Sequence, residues 1–276
     1  MLMRFTKMHG LGNDFVVIDA ITQNVTMTTD LARHLGDRHF GVGCDQILVV
    51  EPPSRPDVDF DYRIFNTDGS EVAQCGNGAR CFAKFVRDRR LTGKHHIRVR
   101  TAAGILSLDV GTDNRITVNM GQPVFEPSDI PFEADHRSPT YTLEVQGGEL
   151  QIAALSMGNP HAVLIGPETE GAPVDTLGPA IETHPRFPER VNVGFMAVRN
   201  RGEIDLRVWE RGVGETLACG SGACAAVVAG RQQDLLDSTV SVNLPGGTLQ
   251  VDWAGEGEPV RMTGPAITVF QGRIRL

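Results

Sequence analysis

The chain has 276 residues, 41% hydrophobic and 22% charged, a globular composition that fits one large domain or two ordinary ones and argues against disorder. Its 26 Lys and Arg against 34 Asp and Glu leave a net charge of −8, without the basic footprint of a nucleic-acid or anionic-membrane binder. No stretch approaches the roughly 20 apolar residues that span a bilayer. The start, MLMRFTKMHG, has no hydrophobic signal core, so a cytoplasmic protein with reduced thiols at Cys44, Cys75, Cys81, Cys219 and Cys224 is expected.

Residues 15–18 read as a strand-like apolar run. Residues 29–36 place Leu31 and Leu35 at i, i+4 and predict a short helix opened by Thr28 or Thr29. Residues 77–91 predict a longer helix with Ala79, Phe82, Ala83 and Val86 on its apolar face and Gly93 available to end it. Strand alternation follows over 97–101, 105–110 and 116–120. Residues 121–139 hold Pro123, Pro127, Pro131 and Pro139 and read as a linker. Residues 162–165 read as another strand-like apolar run, and 221–236 as a helix apolar nearly all round at its start, hence fully buried. A last strand over 267–276 lies outside the second half's pattern.

That pattern is a duplication. Sliding the chain against itself matches two halves at an offset of about 144 to 146 residues, well beyond the periods of short solenoid repeats. Gly12-Asn13 meets Gly158-Asn159, and Gln46 meets Asn192. Tyr62-Arg63-Ile64-Phe65-Asn66 meets Leu206-Arg207-Val208-Trp209-Glu210. Glu71, Cys75, Gly76 and Gly78 meet Glu215, Cys219, Gly220 and Gly222, and GILSLDV meets GTLQVDW. The order is the same in both halves. Each half is therefore several strands, a short helix, and a buried helix entered through a Cys-Gly-x-Gly turn.

Cys75-Gly76-Asn77-Gly78 and Cys219-Gly220-Ser221-Gly222 each put a thiol at a helix N-terminus, where free N–H groups and the helix dipole favour negative charge. The same N–H groups can hold a carboxylate. A single free cysteine is most often a small buried hydrophobe; two at equivalent positions of a repeat point to a pair. Inverting a stereocentre needs a base on one face and an acid on the other, and a thiolate with a thiol supplies both. A thiol redox switch remains open on these residues alone. A cysteine protease has no role for a second equivalent cysteine. Cys44, Cys81 and Cys224 lack the turn and read as packing residues.

The repeat also matches polar positions: Asn13 with Asn159, Gln46 with Asn192, Asn66 with Glu210, Asn77 with Ser221. Each alone is an ordinary turn residue; together they suit a zwitterionic ligand, since amides both donate and accept. Glu210-Arg211 adds a carboxylate for an ammonium and a guanidinium for a carboxylate. His161 can tune a thiol. Gly10-Leu11-Gly12 lacks the remainder of a dinucleotide fingerprint, and neither cysteine pair has zinc spacing. Nothing marks a pyridoxal lysine or a phosphate loop.

These motifs together resemble the diaminopimelate epimerases: MHGLGNDF, GVGCDQ, FNTDGSEVAQCGNGARC, MGNPHAV, RVNVGF and WERGVGETLACGSGACA, running essentially end to end. The resemblance implies an α/β (α+β) fold of two pseudo-symmetric domains, each a curled, mostly antiparallel sheet around a central helix. Residues 1–120 with 265–276 would form the first and 121–264 the second, with the active site in the cleft between them. It implies a cofactor-free, metal-free isomerase that interconverts LL- and meso-diaminopimelate in lysine and peptidoglycan precursor synthesis. In that likeness Cys75 and Cys219 are the acid/base thiols, and Asn13, Gln46, Asn66, Asn159, Asn192, Glu210 and Arg211 contact substrate. Gly76-Asn77 and Gly220-Ser221 supply the carboxylate-binding turns, and His161 with Glu210 tunes the thiols. The family usually forms homodimers, often with a tyrosine at the contact; the nearest position here is Phe270, without the hydroxyl. The nearest alternative within this reading is a racemase for another amino acid such as proline, which would not need Asn66, Asn159, Asn192 and Arg211 for a distal polar end.

Overall fold

The runs FVVI and ILVV are apolar at every position, so a strand made of them must be covered on both faces. In the computed structural model, which describes residues 2–73 and 75–276, these runs lie in the parallel pair β2 (Asn13–Asp19) and β3 (Gln46–Glu51). The chain divides into two compact units, Met1–Val118 with Gly264–Leu276, and Asn119–Thr263.

In the first unit β1 (Leu2–Gly10) turns into β2 through Leu11 and Gly12, both at positive φ (58° and 90°), the two-residue hairpin geometry that places Asn13 at the strand start. The helix α1 (Thr29–Gly36) is capped by Thr28, whose Oγ1 accepts from Leu31 N at 3.2 Å. β4 (Phe60–Asn66) lies antiparallel to β3, β5 (Glu71–Val72) pairs briefly with β4, and α2 (Gly76–Asp88) follows. β6 (His96–Thr101) joins β4 in parallel, and β7 (Gly104–Val110) and β8 (Ile116–Asn119) extend the sheet antiparallel. Val16, Ile18, Ile47, Val49 and Phe65 pack with Ala32 and Leu35 of α1. By strand alternation Phe15, Val17, Leu48, Val50 and Tyr62 point the other way, toward α2. Helix α2 touches β1, β2, β3 and also β7, strands far apart in the sheet order, so the sheet curls around it.

The second unit repeats this order. β9 (Tyr141–Val145) pairs with β10 (Gly148–Ser156), which pairs with β11 (Pro160–Gly166). After α3 (Val174–Glu182), β12 (Asn192–Asn200) lies parallel to β11, with β13 (Glu203–Glu210) and the short β14 (Gly214–Thr216) antiparallel beyond it. α4 (Gly220–Gln232) leads to β15 (Thr239–Leu244), parallel to β13, then β16 (Gly247–Asp252) and β17 (Arg261–Gly264). Ala162, Val193 and Phe195 pack with Val174 and Ile181 of α3. Helix α4 reaches from β10 to β16, so this sheet also curls round its helix. The place that β9 takes beside β10 is taken beside β1 by the last strand, β18 (Ile267–Arg275), antiparallel with Leu2 opposite Arg275.

Two expectations need correction. Residues 121–139 are no loose linker: Ile130 and Phe132 are core residues of the second unit, Val124 bridges Ser156, and Pro127–Asp129 forms a 3-10 turn. The prolines shape a packed segment there. The long helices also stop earlier than their apolar patterns. Arg90 (φ 57°) and Asp234 (φ 55°) turn left-handed, with Leu91 N bonding Val86 O and Leu235 N bonding Gly230 O, each at 2.9 Å. That is the Schellman pattern with a non-glycine residue in the left-handed place, so Gly93 ends nothing.

Candidate active site

Each cysteine of the repeated turn takes the N-cap position. Cys75 Sγ accepts from Gly78 N at 3.3 Å and Cys219 Sγ from Gly222 N at 3.4 Å, as a serine or threonine oxygen does at ordinary caps. Both sulfurs therefore stand at the positive end of a helix dipole. The glycines leave the turns little room, least at Gly78. A Cβ at Gly78 would stand 2.4 Å from the Tyr62 hydroxyl, and one at Gly222 would stand 3.1 Å from Val208 Cγ2 and 3.2 Å from Cys219 Sγ. The strand before each turn is tied by a forked ion pair. Arg63 meets Glu71 at 2.8 and 2.9 Å, and Arg207 meets Glu215 at 2.6 and 2.9 Å.

In the first unit the structure brings Asn13, Cys75 and Asn77 together. Asn13 Oδ1 accepts from Asn77 Nδ2 at 3.3 Å and lies 4.0 Å from Cys75 Sγ. The direction of these amides is set at both ends. Asn13 Nδ2 donates to Asp45 Oδ2 at 3.0 Å, and Asn77 Oδ1 accepts from the fully buried Arg80 at 2.9 Å. A carboxylate can only accept and a guanidinium can only donate, so the Asn13 oxygen is the end turned toward the thiol. Asp45 is held by Arg38 at 2.8 Å, which also grips Asp14. Gln46 and Asn66 face each other across the β3–β4 pair, Nε2 to Oδ1 at 3.0 Å.

In the second unit a chain of side chains leads to Cys219. His161 Nε2 lies 3.0 Å from Asn159 Oδ1, so the neutral ring carries its proton there. Asn159 Nδ2 reaches Ser221 Oγ at 3.5 Å, and Ser221 Oγ lies 3.6 Å from Cys219 Sγ. His161 thus meets the thiol through Asn159 and Ser221. Burial drives its imidazole down to about 3, and the nearby Arg211 charge pushes the same way. Glu210 is the carboxylate beside Cys219, its Oε1 held by Thr216 Oγ1 at 2.5 Å. Asn192 accepts from Arg211 N at 3.0 Å and donates to Pro160 O at 3.0 Å. The Arg211 guanidinium bonds Glu189 O at 2.9 Å.

The two thiols differ. Burial holds the Cys219 thiol well above its ordinary range and Glu210 raises it further, against the pull of Ser221 and the Gly222 N–H. Cys75 is the more accessible of the two. Burial also pushes Cys44 to about 11 and Cys81 to about 12, and with the buried Cys224 these are packing groups. Among the described residues no three His, Cys, Asp or Glu groups gather to hold a metal. Sequence reading passed over Tyr62, Asp45, Arg80 and Thr216. The signal for Thr216 was its place on the strand between Glu210 and the turn.

The family profile described as Diaminopimelate epimerase matches residues 5–126 and 153–269. A curated relative from Teredinibacter turnerae named "Diaminopimelate epimerase" is 62% identical over 276 residues, covering all of both chains. One of the same name from Ectopseudomonas mendocina is 60% identical with the same coverage. Among solved structures, a hydroxyproline epimerase from Agrobacterium vitis superposes with a TM-score of 0.71 at 16% identity, over 99% of this chain and 92% of its own. At that identity the likeness speaks for the fold alone.

Proposed function

The chain belongs to the diaminopimelate epimerase family, and from that premise we propose that it interconverts LL- and meso-diaminopimelate by a two-base reaction of Cys75 and Cys219. The observation that carries this is the matched pair of N-cap thiols, one per half, with cap bonds of 3.3 and 3.4 Å. One cysteine, as thiolate, takes the α-proton. The electron pair of the broken C–H bond flows into the α-carboxylate, held by the N–H groups of Gly76-Asn77 and Gly220-Ser221 at the positive ends of α2 and α4. The other cysteine, as thiol, returns a proton to the opposite face. The reverse reaction exchanges their roles, so the pair titrates as one unit.

Glu210 suits the α-ammonium, while Asn13 and Gln46 offer amide partners around the reacting end. The distal amino-acid end takes Asn66, Asn159, Asn192 and Arg211, which a proline substrate would leave unpaired at a cost in affinity. His161 sets the Asn159 amide direction and so acts on Cys219 through Ser221. A homodimer through β18 fits the exposed Ile267, Val269 and Phe270 on that edge strand, and sedimentation equilibrium reads that state directly. A cytoplasmic location fits five unbridged cysteines, and cell fractionation checks it.

The test is α-proton exchange in D2O without added cofactor, with LL-diaminopimelate and L-proline side by side. Deuterium entering diaminopimelate with meso product appearing, and none entering proline, is the expected result. Exchange into proline alone would overturn the substrate assignment.

A further inference from the structure

Behind the first cysteine turn stands a hydroxyl that the reaction has not used. Tyr62 lies on β4, 1% exposed, with its ring 4.6 Å from that of Phe82 on α2. Its oxygen reaches the first turn of α2, where the point a Gly78 Cβ would occupy is 2.4 Å from the hydroxyl and 3.4 Å from Cys75 Sγ. Among the described residues this hydroxyl has no hydrogen-bond partner. A phenylalanine would pack against Phe82 as well and leave no buried donor unpaired. The matched position of the other half is Leu206, and the group beneath Gly222 is the aliphatic Val208. The hydroxyl belongs to one turn only.

The state that pairs it follows from the chemistry of sulfur. As a thiol, Cys75 directs its proton toward Asn13 Oδ1 at 4.0 Å and accepts from Gly78 N. Once deprotonated, the sulfur can only accept, the Asn13 oxygen becomes a repulsive neighbour, and a second donor beside Gly78 N stabilises the anion. We propose that Tyr62 is a positioning residue for Cys75, its hydroxyl donating to the Cys75 thiolate in the state that takes the α-proton. Burial keeps the Tyr62 phenol far above its ordinary range, so it donates without ionising. The titratable groups facing it are Cys75 and Cys81, the latter held as a thiol by burial. Arg80, the charged side chain in that part of α2, is engaged by Asn77 and by Pro265 O at 3.1 Å. The turns are then built for unlike partners, a donor behind Cys75 and the Glu210 carboxylate beside Cys219.

This inference rests on the reading of Cys75 as an acid/base thiol, and its test is independent of turnover. In full-length protein carrying Cys219→Ala, the rate of Cys75 alkylation by iodoacetamide is followed against pH, with the modified peptide identified by mass. Tyr62→Phe is expected to raise the apparent pKa of that profile by about 1, a tenfold loss of thiolate at a given pH, or about 1.4 kcal/mol. With Cys219 intact, the acid limb of kcat/KM moves up by a like amount. Tyr62→Leu, which copies the other half, gives the same direction and serves if the phenylalanine variant folds poorly. A Tyr62→Phe profile superimposable on that of the parent overturns the proposal. A shifted alkylation profile in a protein that does not turn over diaminopimelate would instead overturn the functional reading and keep the hydrogen bond.

Discussion

Cys75 and Cys219 were visible as a pair because the Cys-Gly-x-Gly turn is written twice, and the space beside each sulfur favours glycine three residues on, most strictly at Gly78, where a Cβ would stand 2.4 Å from the Tyr62 hydroxyl. The direction of the amides around them was not visible. It depends on a donor-only Arg80 and an acceptor-only Asp45 at the two ends of the Asn77–Asn13 pair, which lie far apart in sequence. Tyr62 was hidden for another reason: a buried aromatic on a strand looks like core until its hydroxyl is found without a partner among the described residues. At this scale His161 carries a prediction. Its folded-state pKa of about 3 lies below its ordinary 6.5, so the unfolded chain binds the proton first as pH falls. The contribution is complete above about 6.5 and is lost as pH falls toward 3, reaching roughly 2–3 kcal/mol by pH 4.5. Asp14 acts later. Burial would raise its carboxyl, but Arg38 and Lys7 outweigh burial and hold it at about 2, so its contribution is lost between 3.8 and 2. Replacing His161 with Gln should flatten the loss of unfolding free energy between pH 6.5 and 4.5, measured by urea titration. An unchanged slope there contradicts a buried neutral imidazole.

At the scale of elements, strands with continuous apolar runs were legible, and they lie in the parallel pairs β2–β3 and β11–β12, of which β2–β3 is covered on both faces. Helix ends were less so. The apolar pattern of α2 continues past Asp88, but Arg90 takes a left-handed conformation that its side chain does not advertise. The segment 121–139 misled in the opposite sense, since its prolines mark a constrained path over a core to which Ile130 and Phe132 belong. The edge strand β18 carries the proposal of a dimer. Phe270 packs edge-on against Phe5 at 5.9 Å yet stays 46% exposed, and Ile267 and Val269 are exposed beside it. Val269→Lys is expected to shift the sedimentation equilibrium toward monomer, because a charge on an edge strand opposes pairing. A wild-type protein that sediments as a monomer at micromolar concentration removes the proposal.

For the whole molecule, the duplication was the most informative feature of the sequence. Each half repeats a strand order with two parallel pairs at matched places, a short helix on one face, and a capped central helix within the curl. The permuted detail, β18 standing beside β1 where β9 stands beside β10, has no sequence signal beyond a final apolar alternation. The duplication gives each half one N-cap thiol, which makes the single-cysteine variants the most direct test of the proposed two-base reaction. Epimerisation of LL-diaminopimelate should be measured for Cys75→Ala and Cys219→Ala, with circular dichroism and Tm confirming the fold. Each variant is predicted to lose at least about 10²- to 10⁴-fold in kcat. Near-native turnover in either one would contradict the two-base reaction.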